Sequence, residues 1–209
     1  MPGTVKNKKI VVVCHNYEPE YTLKEPDPEN RFFTYGFGGN IGKNIKHFNP
    51  GFDVEVWRLD RKVDKYYEGF VHGVKFRIFK SYNVKNLIDL SFKFLLELKK
   101  EVKLNNPVLV IPHTHYWLAY QILFFFSKSK IITTHHGDLS PYFRIKFARG
   151  IRKVKVKIDM FIERRLFKNI DYVFTSEMNQ IPYFKLACPD IKYVLWSSGV
   201  NFEYMNPIE

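Results

Sequence analysis

The stretch KIITTHHGDLS, residues 130–140, begins with β-branched residues and ends in two histidines, a glycine and an aspartate. A short β-branched run is typical of a strand that is covered on both faces, as in a parallel sheet. The polar residues follow at the point where this strand would end. The same pattern recurs along the chain, in KKIVVVCHN (8–16), PVLVIPHTH (107–115), DYVFTSE (171–177) and KYVLWSSG (192–199).

Stretches with helical character lie between these predicted strands. They are the amphipathic LSFKFLLELKKEV (90–102), WLAYQILFFFSKS (117–129), IDMFIERRLFKN (158–169) and IPYFKLA (181–187). Parallel strands need crossover connections, and helices supply them. The alternation predicts an α/β fold, a single Rossmann-like doubly wound and mostly parallel sheet with helices on both faces. A length of 209 residues favours one domain over residues 1–209.

Two further stretches predict strands of a different kind. FDVEVWRL (52–59) and VKFRIF (74–79) alternate apolar and charged residues with a period near two. This pattern is typical of half-exposed strands, so we expect both nearer an edge of the sheet. The continuous apolar run Ile10–Cys14 predicts a central strand.

Charge and cysteine content limit the partners and the compartment. The net charge is +12, from 33 Lys and Arg against 21 Asp and Glu, and it favours an acidic partner such as nucleic acid, anionic lipid or a phosphorylated substrate. The two cysteines, Cys14 and Cys188, form no Cys-x-x-Cys pair, which favours a reducing compartment. No apolar run approaches the roughly 20 residues of a membrane span, and the first is too short for a signal peptide. The sequence predicts a cytoplasmic protein with room for peripheral membrane contact.

Histidines are concentrated at the predicted strand ends. Five of the seven histidines lie there: His15, His113, His115, His135 and His136. Ligands of open parallel sheets bind outside the carboxyl ends of the strands, where the strand order reverses. If the first strand lies beside the VLVIP strand at that point, these side chains meet in one crevice. The alternative is that each histidine satisfies only local backbone groups.

A metal site is a rival interpretation of the same residues. His113, His115, His135 and His136, with Asp138 nearby, offer imidazole and carboxylate ligands for a zinc or iron hydrolase. The later strand ends supply serines and a glutamate instead of a clear continuation of this ligand set.

The glycine-rich stretch YGFGGNIGKN, residues 35–44, fits neither common phosphate-binding motif. A Gly-x-Gly-x-x-Gly motif begun at Gly36 fails at Ile41. A Walker-type loop fails because Asn44 follows Lys43 where Ser or Thr is required, and Phe37 stands at the leading glycine. We expect a flexible loop that opens a helix over NIGKNIKHF, whose exposed amides and positive dipole end suit a diphosphate.

Together these stretches resemble the N-terminal half of a GT-B glycosyltransferase of the retaining family four, whose members use nucleotide sugars. The matching stretches occur in the family's order and cover almost the whole chain: KIVVVCHNYEPE, GGNIGKNIKHF, FDVEVWRLD, PHTHYWLAY, TTHHGD, FIERRLFKNIDYVFTSE and YVLWSSGVNFEYMNP. The last is similar to the signature that ends the first domain, except that Met205-Asn206-Pro207 replaces its usual Phe-x-Pro.

The resemblance implies roles for particular residues. Gly38 and Gly39 match the glycine loop near the donor diphosphate, and His136 matches the catalytic histidine that points at the donor sugar. Glu163 and Ser176 match a structural frame around the sixth strand. The family's acceptor site corresponds to Tyr17, Glu18, His113, His115 and Asp138.

The resemblance also implies that this chain lacks the second domain of the GT-B fold. In the family, a second Rossmann-like domain binds most of the nucleotide sugar and carries paired glutamates, to which nothing here corresponds. Retaining transfer needs a donor clamped between two domains with water excluded. We therefore expect the chain alone to be inactive and to need a C-terminal domain or a partner subunit. The implied donor is a nucleotide-diphosphate sugar, the acceptor is a saccharide or lipid-linked group, and no obligatory metal or tightly bound cofactor is implied.

The segment Arg144–Lys168 holds ten basic residues against Asp159 and Glu163. One interpretation is contact with an anionic membrane through Arg149, Arg152, Lys153, Lys155 and Lys157. Its apolar side would comprise Phe143, Phe147, Ile151, Phe161 and Phe167. The alternative is a solvated basic surface. Nucleic acid is a third class of partner, but no recognised RNA- or DNA-binding module occurs.

Overall fold

The computed structural model describes residues 8–15, 37–61, 63–84, 88–135, 140–176 and 178–195. Strands and helices alternate through these ranges. The strands are β1 (Lys9–Cys14), β2 (Asp53–Asp60), β3 (Tyr67–Val71), β4 (Val74–Lys80), β5 (Tyr82–Val84), β6 (Ile88–Leu90), β7 (Val108–Ile111), β8 (Ile131–His135), β9 (Tyr172–Thr175) and β10 (Tyr193–Leu195). The α-helices are α1 (Phe37–Phe48), α2 (Phe92–Asn105), α3 (Trp117–Phe125), α4 (Pro141–Arg144), α5 (Gly150–Leu166) and α6 (Ile181–Ala187).

The described strands form one main sheet of eight, in the order β10-β9-β8-β7-β1-β2-β4-β3. All neighbours are parallel except β3, which pairs antiparallel with β4 at the edge. β5 and β6 form a separate antiparallel pair. The predicted fold class, a mostly parallel α/β sheet, is confirmed.

β1 lies in the middle of the sheet because its residues are apolar on both faces. Val11 and Val13 point to one face and pack in a core cluster with residues of α2, α3 and α6. Val12 points to the other face and packs in a second cluster, which Ile41 and Ile45 of α1 cover. Helices therefore lie on both faces of the sheet, as the pattern of alternation predicts.

The prediction that residues 52–59 form a half-exposed strand near an edge is wrong. β2 lies between β1 and β4, and every residue after its first is buried. Its buried charged side chains are paired: Oε1 of Glu55 lies 2.7 Å from Nζ of Lys9, and Nη2 of Arg58 lies 3.9 Å from Oδ2 of Asp60. Burial alone would raise the pKa of Glu55, but hydrogen bonds from Lys9 and Trp57 lower it below the usual range.

Candidate functional site

The order of the strands reverses at β1. The chain continues from β1 to β2 on one side and places β7 on the other side. In sheets of this kind the crevice at the carboxyl ends of the two central strands is where ligands bind. The side chains to consider therefore follow Cys14, at the end of β1, and Ile111, at the end of β7.

Three aromatic side chains meet in this crevice, His15, His113 and Tyr116, which we call the strand-end cluster. His15 stacks on Tyr116 with ring centroids 3.8 Å apart and an interplanar angle of 18°. The ring of His113 approaches His15 edge-on, with centroids 4.6 Å apart. Two of the five strand-end histidines are thus brought together from positions nearly one hundred residues apart in the chain.

His15 is uncharged at neutral pH. Its side chain is buried, and burial together with the nearby positive charge of Arg58 lowers its pKa to about 4. A neutral imidazole has one donor and one acceptor nitrogen, which suits hydrogen bonding to hydroxyl groups more than proton abstraction. The neighbouring thiol is also inert as a base, because burial raises the pKa of Cys14 to about 12.

The loop after β7 is fixed to the adjacent strand by two threonines. The hydroxyl of Thr114 donates to the carbonyl of Thr134 in β8 at 2.7 Å. The hydroxyl of Thr134 in turn donates to the carbonyl of Pro112. Because both threonines are buried, these bonds hold the backbone that carries His113 and Tyr116 in one position relative to the sheet.

His115 is directed away from the strand-end cluster. Its Nδ1 lies 2.6 Å from Oε1 of Glu163 in α5, and the same oxygen accepts from the Tyr120 hydroxyl at 2.8 Å. The side chains of His115 and Glu163 are 3% and 1% exposed. Burial and Glu163 raise the pKa of Tyr120, so its phenol remains protonated. This arrangement agrees with a structural role for Glu163. Ser176, its companion in the predicted frame, is exposed after β9.

The described part of the glycine-rich stretch, residues 37–44, belongs to a helix. Gly38 and Gly39 lie in the first turn of α1, which begins at Phe37, so the flexible loop expected over these glycines is wrong for the described residues. The amides of a first helical turn have no partner within the helix and retain the positive end of its dipole. Because α1 leads back to parallel β2, its first turn lies at the carboxyl side of β1. Gly42 has a packing role: a Cβ there would lie 2.4 Å from Cγ2 of Val56.

Several predicted site residues lie outside the described ranges. These are Tyr17, Glu18, His136 and Asp138, and their roles stay predictions. His135 ends β8, the neighbour of β7. Among the residues that are described, no group of three or more His, Cys, Asp or Glu is arranged to hold a metal ion.

Tyr116 is a member of the strand-end cluster that the sequence pattern did not single out. It follows the His-x-His pair directly and precedes α3, so its position one residue after a strand-end histidine was the available signal. Arg58, whose charge acts on His15, was also missed, because β2 was expected to be half exposed.

The predicted membrane-contact residues lie in and just before α5. Arg149, Arg152, Lys153, Lys155 and Lys157 are all exposed. Phe167, which was expected on the apolar side of this segment, is instead in the core at 1% exposure. Within the described part of the chain, no helix has the length and apolar character required to cross a bilayer.

Comparisons with known proteins give a structural match alone. No family model matches the chain, and no curated protein matches it by sequence. The structure of sucrose-phosphate synthase from Thermosynechococcus elongatus superposes with a TM-score of 0.57 at 11% identity, over 94% of this chain and 49% of that one. A second, shorter structure of the same protein gives a TM-score of 0.50 at 13% identity, over 94% of this chain and 92% of that one.

These matches establish the fold. The chain spans about half the length of the full sucrose-phosphate synthase, 49%, and has the fold of one half of a GT-B protein.

Proposed function

We propose that this chain forms the acceptor-side half of the cleft of a retaining glycosyltransferase whose donor is a nucleotide-diphosphate sugar. The observation that supports this most is the superposition of 94% of the chain on half of sucrose-phosphate synthase. The strand-end cluster also supports the proposal, because it places polar groups at the switch point of the sheet. A fold alone does not specify a function, so the site must be consistent with the chemistry.

The donor diphosphate would lie against the first turn of α1. Gly38 and Gly39 present backbone amides there without side chains that would block a close approach. These amides and the helix dipole would stabilise negative charge on the leaving diphosphate as the bond to the sugar breaks. By the resemblance described above, His136 would face the donor sugar and stabilise charge near its anomeric carbon.

The acceptor would lie over the strand-end cluster. His113 and Tyr116 offer polar groups on a fixed loop, and the neutral ring of His15 packs against both of their rings. Aromatic rings with polar edges suit a sugar or another hydroxyl-bearing group. In the transfer itself an acceptor oxygen forms a bond to the anomeric carbon as the bond to the diphosphate breaks, and the acceptor proton passes to an oxygen of the departing diphosphate. Tyr17, Glu18 and Asp138 remain proposed acceptor residues, whereas the side chain of His115 is buried against Glu163 and would not contact the acceptor.

The test is to map nucleotide binding on the purified chain by backbone amide NMR. UDP, GDP and ADP, with their glucose and mannose conjugates, should shift amides in the first turn of α1 and in residues 113–116. The matching nucleosides, which lack the diphosphate, should leave α1 unshifted. A protein with a net charge of +12 also attracts anions without specificity, so the titration is repeated at high salt. Shifts confined to exposed lysines of α5, and lost at high salt, would contradict the proposal.

A further inference from the structure

The surface of α5 is free of acidic side chains because both of its carboxylates point inward. Asp159 is 4% exposed, and its Oδ2 accepts from Nη2 of Arg144 at 3.1 Å. Glu163 is fully buried against His115. The ten basic residues of Arg144–Lys168 are therefore not balanced by any acid on the solvent side of the helix.

Between these cations runs a row of exposed apolar side chains. Ile151, Val154, Ile158 and Phe161 are 86%, 57%, 50% and 60% exposed, and we call them the α5 stripe. Their spacing of three, four and three residues places them on one face of the helix. The face that packs on the protein, which includes Val156, lies on the opposite side. The helix therefore has two apolar faces, and only one of them is covered by the described part of the chain.

The cations flank the stripe on both sides. At 100° per residue, Lys155 lies on one side of it, and Lys157 and Arg164 lie on the other. The guanidinium of Arg165 lies 5.0 Å from the ring centroid of Phe161, within the stripe itself. An apolar band bordered by Lys and Arg is the pattern of a helix that lies in the plane of a membrane interface.

The first turns of α5 extend past the carboxyl edge of the sheet. α4 and α5 connect two parallel neighbours, β8 and β9, so α5 runs back from the carboxyl edge towards the amino edge. Glu163 contacts His115, which already lies beyond the end of β7. At 1.5 Å per residue, the helix from Gly150 to Glu163 spans about 20 Å. The exposed stripe therefore starts on the same side of the molecule as the strand-end cluster.

The composition of this surface favours lipid over other acidic partners. Scattered exposed apolar residues are ordinary, but a continuous row of them is not. Single-stranded nucleic acid is bound by stacking on aromatic rings, whereas three of the four stripe residues are aliphatic. A second copy of the chain would bring two positively charged faces together, which opposes self-association.

We propose that α5 docks on an anionic lipid bilayer, with the α5 stripe at the boundary of the acyl chains and the surrounding cations at the headgroups. The cations that border the stripe, Lys155, Lys157 and Arg164, supply the electrostatic attraction. Because α5 runs antiparallel to the strands, docking in this way lays the strands roughly along the membrane plane, with the crevice at the carboxyl edge beside the bilayer surface. The proposal does not depend on sugar transfer, and a measurement of lipid binding alone tests it.

The test is sedimentation of the chain with vesicles of phosphatidylcholine, either pure or with about one third phosphatidylglycerol. The chain should bind the anionic vesicles and not the neutral ones, and high salt should weaken binding. The variant Lys155→Gln/Lys157→Gln should lower the partition coefficient roughly five-fold per residue. The variant Ile151→Gln/Ile158→Gln should lower it about tenfold or more, because the apolar contact is lost.

Matched variants on α2 provide the control. Phe92→Gln/Leu96→Gln and Lys99→Gln/Lys103→Gln change equally exposed positions on another helix and should leave binding unchanged. All four variants replace exposed residues, and thermal unfolding checks that each remains folded. No binding to anionic vesicles at low salt would overturn the proposal. An unchanged partition of the Ile151→Gln/Ile158→Gln variant would also overturn it. If a labelled oligonucleotide then binds as tightly as the vesicles, α5 is a general polyanion surface.

Discussion

At the scale of single residues, His15 has the greatest effect on the candidate site because its burial determines its charge. Burial, with a smaller contribution from Arg58, lowers its pKa to about 4. In an unfolded chain a histidine titrates near pH 6.5. Between these values the unfolded chain binds a proton that the folded chain does not. The stabilisation is therefore complete above about pH 6.5 and is lost as the pH falls to about 4, by up to about 3 kcal/mol.

The variant His15→Phe should remove this contribution while it retains a ring against Tyr116. Urea unfolding between about pH 4 and pH 7.5 measures this contribution. As the pH falls, the free energy of unfolding of the variant should rise relative to that of the wild type. The exposed His47→Asn change is the control and should leave the profile as it is in the wild type. Parallel profiles for wild type and His15→Phe would contradict the assignment.

Glu163 joins two helices and a loop through one buried carboxylate. Its Oε1 lies 2.6 Å from Nδ1 of His115 and 2.8 Å from the Tyr120 hydroxyl. Replacement by alanine leaves both partners buried without their acceptor, so we expect Glu163→Ala to lower the free energy of unfolding by about 3 kcal/mol. The measurement is chemical denaturation of Glu163→Ala, Tyr120→Phe and the double variant.

The double variant distinguishes a shared interaction from two separate effects. Because the carboxylate and the phenol bond to each other, the two losses should be less than additive, by about 1 kcal/mol. Glu97→Ala is the control, because Glu97 pairs with Lys100 on the surface, and should change stability by about 0.5 kcal/mol or less. Strict additivity of the two buried changes would show that the pair does not act as a unit.

At the scale of elements, the packing of α1 on the sheet depends on the absence of a side chain at Gly42. A Cβ at this position would lie 2.4 Å from Cγ2 of Val56 in β2. The variant Gly42→Ala should therefore push the helix away from the strand and lower the free energy of unfolding by about 1 to 3 kcal/mol. Denaturation by urea, followed by far-UV circular dichroism, measures the loss.

Two further variants make this prediction specific. Gly51→Ala is the control, because a Cβ there meets no atom within 4 Å. In the background Val56→Ala the clash is absent, so Gly42→Ala should cost less there than in the wild type. An equal cost in both backgrounds would mean that the loss does not come from contact with Val56.

The elements differ in how far local sequence determines them. β1 could be predicted because continuous β-branched residues are buried on both faces of a parallel sheet. β2 could not, because the cations that neutralise Glu55, which are Lys9 and Arg77, are distant along the chain. His15 and His113 could be predicted to meet, since they follow strands. The pairing of His115 with Glu163 could not, because it joins residues 48 positions apart on different elements.

At the scale of the whole molecule, three features lie on one edge of the sheet. The strand-end cluster follows β1 and β7, the first turn of α1 begins on the same side, and the exposed end of α5 extends past it. A sugar donor and a hydroxyl acceptor would thus bind at this edge, and a lipid surface docked on α5 would lie beside it. This arrangement is consistent with a transferase whose acceptor is held at a membrane.

The last prediction concerns the chain as a catalyst. Retaining transfer requires that the donor is held, its leaving diphosphate is stabilised and water is excluded, and these needs are met when a second body closes over the first. The superposition covers 94% of this chain and 49% of sucrose-phosphate synthase. We therefore expect the 209-residue chain to bind nucleoside diphosphates without transferring sugar from UDP-, GDP- or ADP-linked donors, with or without anionic vesicles.

Two measurements on the same protein sample check this prediction. Release of nucleoside diphosphate in a coupled assay should not exceed that of a heat-denatured control, while amide NMR still shows binding at α1. Sustained release with sugar recovered on an acceptor would contradict the prediction. In that event the variant His136→Ala would determine whether the crevice is the source: a loss of transfer would assign it there, because that residue is the one proposed to stabilise charge at the anomeric carbon.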